Sequence, residues 1–328
     1  MAGRLAGAFR ALGRDDVANQ ITSTMRAAGY TVHEASPFDR PPAALPGTRV
    51  ESPYVQRLRL MWAEMRGAVI DAFPPPGPVP ADAAKTLREI EARYVADAYH
   101  SLSIEGYRVT ADLIDKVRAG AWDPDGDDRG HRDAMAAKGY FEAHAQVKAF
   151  IAATIAQGAA RPRRLREAMA AWYLALFSPS VQAGLLEPAD LAGWRNDQVF
   201  IRGAMHVSLS KEVVRDAMPA LYELIEAEEH PAVRALLGHF LFVYIHPYMD
   251  GNGRLARFLM NAMLVGGGYV WTIIPVEQRS RYMQALEQAS SFKNIRPFAE
   301  FVAELTIEQT RTPLPRPSSP TGRAASPS

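Results

Sequence analysis

The 328-residue chain contains no cysteine, which excludes disulfides, thiolate metal sites and a cysteine nucleophile. It also lacks a dominant charge: 37 Lys and Arg stand against 36 Asp and Glu, for a formal net charge of +1. That balance gives no global drive towards nucleic acid or anionic lipid. Long apolar runs are missing too. The most apolar stretch, Ala235 to Ile245, is too short to span a membrane, and Met1-Ala2-Gly3-Arg4-Leu5 lacks the apolar core of a signal peptide. The expectation is a soluble, cytoplasmic protein with no membrane and no nucleic-acid partner. At 48% hydrophobic residues the chain can bury a sizeable core, organised as one main domain with a smaller attachment.

Residues 1–50 read as a small α/β unit with a linker. Leu5 to Arg26 can form two short helices, and Tyr30 to Glu34 alternates like a strand, an order similar to part of a winged helix. Pro37 to Pro46 reads as a proline-rich linker. Residues 51–120 form a helical region, interrupted by the extended connection Phe73 to Pro80. Its second helix starts near Ala81 and carries Ser101 and Glu105, four apart, on one face. Asp123 to Asp128 is an acidic surface turn; Ala134 stands where a calcium loop needs its bidentate glutamate. Amphipathic helices follow over His131 to Ile155 and Arg164 to Phe177. The basic cluster Arg161 to Arg166 has no interleaved aromatics and reads as a solvated loop.

Trp194 to Val207 breaks the helical pattern. Val199 and Ile201 alternate with Gln198 and Arg202, and Gly203 permits a turn, which predicts a β-hairpin. Gln278 to Ser290 and Pro297 to Thr310 close a core spanning 121–310, and 311–328, rich in Pro, Ser, Arg and Ala, is expected to be disordered.

The densest chemistry lies in His246-Pro247-Tyr248-Met249-Asp250-Gly251-Asn252-Gly253-Arg254-Leu255-Ala256-Arg257. Pro247 ends the apolar helix before it and holds His246 at the rim, where an imidazole can accept a proton. Gly251, Asn252 and Gly253 open the next helix with backbone N–H groups converging on one spot, a phosphate cradle. Arg254 and Arg257 are three apart and can hold further phosphates from one side. Asp250 is a hard oxygen ligand suited to a magnesium ion bridging phosphates. A helix stop, a turn and a solvated basic face would explain each piece alone, but not all of them in one window.

This stretch matches, place by place, the Fic-family signature His-Pro-Phe-x-Asp/Glu-Gly-Asn-Gly-Arg-x-x-Arg, with Tyr248 for the phenylalanine. Ser101-Leu102-Ser103-Ile104-Glu105-Gly106 resembles the inhibitory helix of the class with an N-terminal inhibitory segment, and the hairpin resembles the family's flap. The resemblance implies a mainly α fold, a Fic-type helical bundle with a β-hairpin flap. It implies an enzyme transferring AMP from ATP to a Ser, Thr or Tyr hydroxyl of a target protein. His246 would be the general base. Asp250 would hold Mg²⁺, Gly251, Asn252 and Gly253 would cradle the α- and β-phosphates, and Arg254 and Arg257 would neutralise the β- and γ-phosphates. Glu105, beside Ser101, would pair with Arg257 and silence the enzyme. Val199, Phe200 and Ile201 would dock an extended segment of the target, and Arg281-Tyr282 would face the nucleotide pocket. Removal of AMP, with Glu105 orienting a water, stays open, as do transfer of another phosphate-containing group and homo-oligomerisation. A rival of another class is a nucleotide-sensing binding or regulatory protein, for which His246 has no use.

Overall fold

The structure, a computed structural model, describes residues 2–36, 52–121, 128–158, 164–201 and 204–317. The linker at 37–46, most of the acidic turn at 123–128, the start of the basic cluster and most of the tail at 311–328 lie outside them. The chain divides into two units, Met1–Glu51 and Ser52–Ser328.

In the first unit α1 (Ala2–Ala11) packs on α2 (Asp15–Ala27). Arg10 ties the unit together, its guanidinium donating to Glu34 at 2.7 Å and to Asp15 at 2.9 Å. The strand expected over Tyr30 to Glu34 is absent. The segment has no regular structure and no neighbouring strand; a backbone bond at its end, from Ala35 N to Gly3 O at 3.2 Å, ties it to α1 instead. Among the described residues this unit is helical, not α/β, and its likeness to a winged helix goes no further than two helices.

The second unit is mainly α. It begins with α3 (Pro53–Ala72), where Pro53 takes a first-turn position that needs no N–H. In α4 (Ala83–Ile104) the Asp82 carboxylate caps the helix by accepting from Lys85 N at 2.9 Å. Thr110 caps α5 (Ala111–Arg118) in the same way, accepting from Leu113 N at 3.1 Å. Then come α6 (Asp128–Ala156), α7 (Leu165–Gln182), α8 (Lys211–Ala227), α9 (Pro231–Ile245), α10 (Asn252–Gly266), α11 (Arg279–Phe292) and α12 (Arg296–Arg311). The α7 helix runs past Phe177 with Pro179 inside it, so that proline does not end it.

Nearly every residue of α9 and α10 is buried, which is why their sequences are apolar all round rather than on one stripe. They pack on each other at the centre, and α4, α6 and α7 pack on α10. That arrangement brings the end of α4 to the start of α10. Among the described residues no helix is long and apolar enough to cross a membrane.

The hairpin expected over Trp194 to Val207 is not formed as strands among its described residues. Side chains take the carbonyls a ladder would use: Ser208 Oγ donates to Val199 O at 2.7 Å, and Gln198 Nε2 donates to Ser208 O at 3.0 Å. Its described residues are irregular and are fastened near the C-terminal end, with Met205 N donating to the Glu287 carboxylate at 3.3 Å and the His206 ring stacked on Tyr244 at 4.1 Å.

Candidate active site

His246 caps the C-terminus of α9 in the left-handed region, φ 54°, a conformation held by the bond from His246 N to Phe242 O at 2.9 Å and by Pro247 behind it. Its Nδ1 lies 3.3 Å from Val243 O. A carbonyl can only accept, so Nδ1 carries the proton of the neutral ring and Nε2 is left as a base. Burial lowers the pKa below its ordinary value, with the Val243 carbonyl opposing. The ring is therefore neutral at physiological pH.

Arg195 fixes this corner from outside the motif. It is buried, and its guanidinium donates to His246 O at 2.7 Å, to Asp197 O at 2.7 Å and to Leu209 O. Its own N–H donates to Pro247 O at 2.9 Å. Nothing in the pattern around Trp194 distinguished it; a buried arginine serving carbonyls leaves no spacing signature.

The loop from Tyr248 to Asn252 is closed by the Asn252 amide, which accepts from Tyr248 N at 3.0 Å and donates to Tyr248 O at 2.8 Å. The Asn252 side chain is thus committed to the loop and offers a ligand only its backbone. Tyr248 anchors the loop in the core, stacked on Tyr173 at 3.8 Å. Gly251 has φ +83° and the Phe177 ring lies 2.8 Å from where its Cβ would stand, so only glycine fits. Asp250 accepts from Gly251 N at 2.6 Å and from Arg254 Nη2 at 3.2 Å, and its side chain is 60% exposed.

The two motif arginines separate. Arg257 is buried beside α4: Nε donates to Ser101 Oγ at 2.9 Å, and Nη2 to Ser101 O at 3.0 Å and to Glu105 Oε1 at 2.7 Å. Burial pulls its pKa down, the Glu105 carboxylate pushes it up, and the balance is raised. Its Nη1 is buried without a partner, beside Gly253. Arg254 instead lies over the rings of Tyr107 and Phe177, whose centroids are 5.1 and 5.0 Å from its guanidinium carbon.

Two cavities follow from that division. One of about 380 Å³ is lined by Glu105, His246, Gly253 and Arg257, with Ile201 and Tyr282. The other, about 660 Å³, is lined by Tyr107, Phe177, Asp250 and Arg254. Of the loop residues, Ile201 reaches the smaller cavity, Phe200 is 78% exposed, and Val199 spends its carbonyl on Ser208. Tyr282 lines that cavity with its hydroxyl 2.8 Å from His239 Nε2, whereas Arg281 turns to Glu304 at 2.7 Å.

Among the described residues no group of three or more His, Asp or Glu side chains could hold a metal ion. Asp250 fits a magnesium ion of the kind that takes one carboxylate and fills its shell with phosphate oxygens and water.

Residues 131–264 match the Fic/DOC family. Over 127 residues the chain is 37% identical to the Protein adenylyltransferase Fic of Drosophila virilis, covering 38% of this chain and 26% of that one. It is 36% identical over the same length to that of Drosophila melanogaster, covering 25% of it. The match thus spans about a quarter of the length of these curated relatives. Among solved structures, Fic-1 from C. elegans superposes with a TM-score of 0.58 at 18% identity, covering 90% of this chain and 76% of that one. A Fic domain containing signaling protein from Bacteroides thetaiotaomicron gives 0.56 at 17% identity, covering 78% and 95%. These likenesses show the fold, and the family match falls on the segment holding His246, Asp250 and both arginines. Residues 131–264 are a Fic/DOC family domain.

Proposed function

We propose that the chain is a protein adenylyltransferase that moves AMP from ATP onto a Ser, Thr or Tyr hydroxyl of a target protein, and that Glu105 keeps it silent. The observation that carries this reading is the ion pair between Glu105 and Arg257 in the cavity that holds His246. A base with a free Nε2, an arginine with an unpartnered buried N–H and a removable carboxylate on that arginine suit a nucleotide site under restraint.

In the reaction the target hydroxyl attacks the α-phosphorus, His246 Nε2 takes the hydroxyl proton, and the bond to the β-phosphate breaks, so that pyrophosphate leaves. Arg257 is the side-chain clamp for the terminal phosphates once Glu105 releases it. The backbone N–H groups at the start of α10 cradle the phosphates nearer the reacting centre. Asp250 holds Mg²⁺, which when bound neutralises phosphate charge. Arg254 lines the other cavity and, in this silent state, is paired with Asp250 rather than placed to grip phosphate. Docking of an extended target segment on Val199 to Ile201 is supported by the exposed ring of Phe200 next to Ile201, which lines the His246 cavity.

The test uses ATP labelled at the α- or γ-phosphate. The Glu105→Gly chain is expected to place α-label on itself or on a lysate protein. Adding His246→Ala is expected to cut the rate by about 10²–10⁴-fold with ATP still bound. Covalent label from the γ-phosphate alone would overturn adenylyl transfer.

A further inference from the structure

Tyr107 stands two residues beyond Glu105 and touches a different motif arginine. The turn that ends α4 is a Schellman motif: Gly106 N donates to Ser103 O at 3.0 Å, Tyr107 N donates to Leu102 O at 3.1 Å, and Gly106 has φ +89°. Glu105 and Tyr107 therefore belong to one fixed turn. Glu105 reaches Arg257, while the Arg254 guanidinium lies over the rings of both Tyr107 and Phe177. Arg132 reaches the Tyr107 ring as well, at 5.3 Å.

Arg254 is 1% exposed and its Nε has no hydrogen-bond partner. What fixes its charge is the pair of rings together with the 3.2 Å bond from Nη2 to Asp250 Oδ2. A divalent cation approaching Asp250 meets a carboxylate that already carries a guanidinium on one oxygen and Gly251 N–H, 2.6 Å away, on the other. Like charge next to the ligand weakens the cation's hold.

We infer that the inhibitory turn has a second arm: Tyr107 is a positioning residue that pins Arg254 against Asp250 and so weakens the binding of a divalent cation there. This rests on the adenylyltransferase reading, in which Asp250 takes Mg²⁺. Glu105 withholds a phosphate clamp, and Tyr107 lowers the metal affinity of the neighbouring carboxylate. Displacement of the one turn would release both, because the Schellman bonds tie the two side chains together.

The experiment is calorimetric titration of ATP into the Glu105→Gly chain, with Mg²⁺ present and with it chelated, repeated with Tyr107→Leu, Tyr107→Met and Tyr107→Phe added. The ratio of the two Kd values measures how strongly metal and nucleotide support each other. Both ring-free variants are expected to raise that ratio by roughly three- to tenfold, the range of one cation–π contact, through the Kd measured with Mg²⁺. Tyr107→Phe keeps the ring face and is expected to leave the ratio unchanged. A residue that only packs the turn would move both Kd values together. Using two ring-free variants keeps the result readable where one folds poorly. ATP binding with an unchanged or smaller ratio overturns the second arm alone. Absence of ATP binding in the Glu105→Gly chain overturns the adenylyltransferase reading, and the second arm with it.

Discussion

Glu105 Oε1 accepts from Arg257 Nη2 at 2.7 Å although the residues stand 152 apart in sequence, and the Gly253 Cα lies so close that a Cβ there would come within 2.2 Å of that oxygen. The carboxylate thus occupies the face of α10 from which an arginine and a glycine-opened helix would meet an anion.

The first prediction is an asymmetry. Glu105→Gly is expected to switch transfer on, whereas Arg257→Ala removes the same ion pair but stays silent because the phosphate clamp goes with it. Ser101→Ala should lie between them. It deletes a hydrogen bond to a charged group, worth about 1.5–3 kcal/mol, and a tenfold or larger gain in rate corresponds to that range. Automodification rates of the three variants with ATP and Mg²⁺ saturating check this, and equal rates for Glu105→Gly and the parent chain would remove the inhibitory role.

A second prediction concerns Arg195, whose guanidinium serves the carbonyls of His246, Asp197 and Leu209. Lysine offers a point charge and cannot span three acceptors. Arg195→Lys is expected to cost about 3 kcal/mol or more, since each buried carbonyl left unpaired costs roughly 1–3 kcal/mol. Denaturant midpoints measure it; a loss under about 0.5 kcal/mol, the size of an ordinary surface change, would mean the carbonyls find other partners.

The local structure of residues 246–257 was legible because it is written in consecutive residues: a proline stop, a turn that needs glycine and a resumed helix. The pairing of Glu105 with Arg257 was reachable only through the resemblance, since no spacing rule links α4 to α10. The fate of Arg254 was hidden. Three-residue spacing gives it a common face with Arg257, but rings from Tyr107 and Phe177, brought in from separate segments, draw it to the other cavity. Alternation at Val199 and Ile201 and at Tyr30 to Glu34 misled for one reason: period two describes a segment that can be extended, while a strand also needs a partner backbone. Asn252 shows the converse limit, because its residue type fits a phosphate site whereas its amide closes a loop.

The third prediction follows from the closeness of Gly253 and Glu105. In Gly253→Ala the new methyl must displace the Glu105 carboxylate, the mobile end of a side chain, and so break the ion pair. The expected cost is about 1–3 kcal/mol in the parent chain, and it should shrink sharply in the Glu105→Gly background, where only the tight 3.2 Å approach to Arg257 Nη1 remains. A double-mutant cycle on thermal unfolding reads the coupling directly. Additive effects would mean that the carboxylate does not occupy this face in solution.

The last prediction concerns pH. His246 must be neutral to take a proton, and its pKa is lowered, chiefly by burial, with the Val243 carbonyl pulling the other way. A base with a lowered pKa is active above that pKa and loses activity as pH falls through it. For the Glu105→Gly chain the acid limb of kcat/KM is therefore expected to have its midpoint below the ordinary histidine value of about 6.5, with a flat profile through pH 7 to 8. The choice of tautomer adds a second reading. Val243 O holds the proton on Nδ1, so Nε2 should be the unprotonated nitrogen by ¹⁵N chemical shift at neutral pH. A midpoint above 7 would place the ring in a more acidic environment than its burial allows, and a protonated Nε2 at neutral pH would remove His246 as the acceptor of the target's proton.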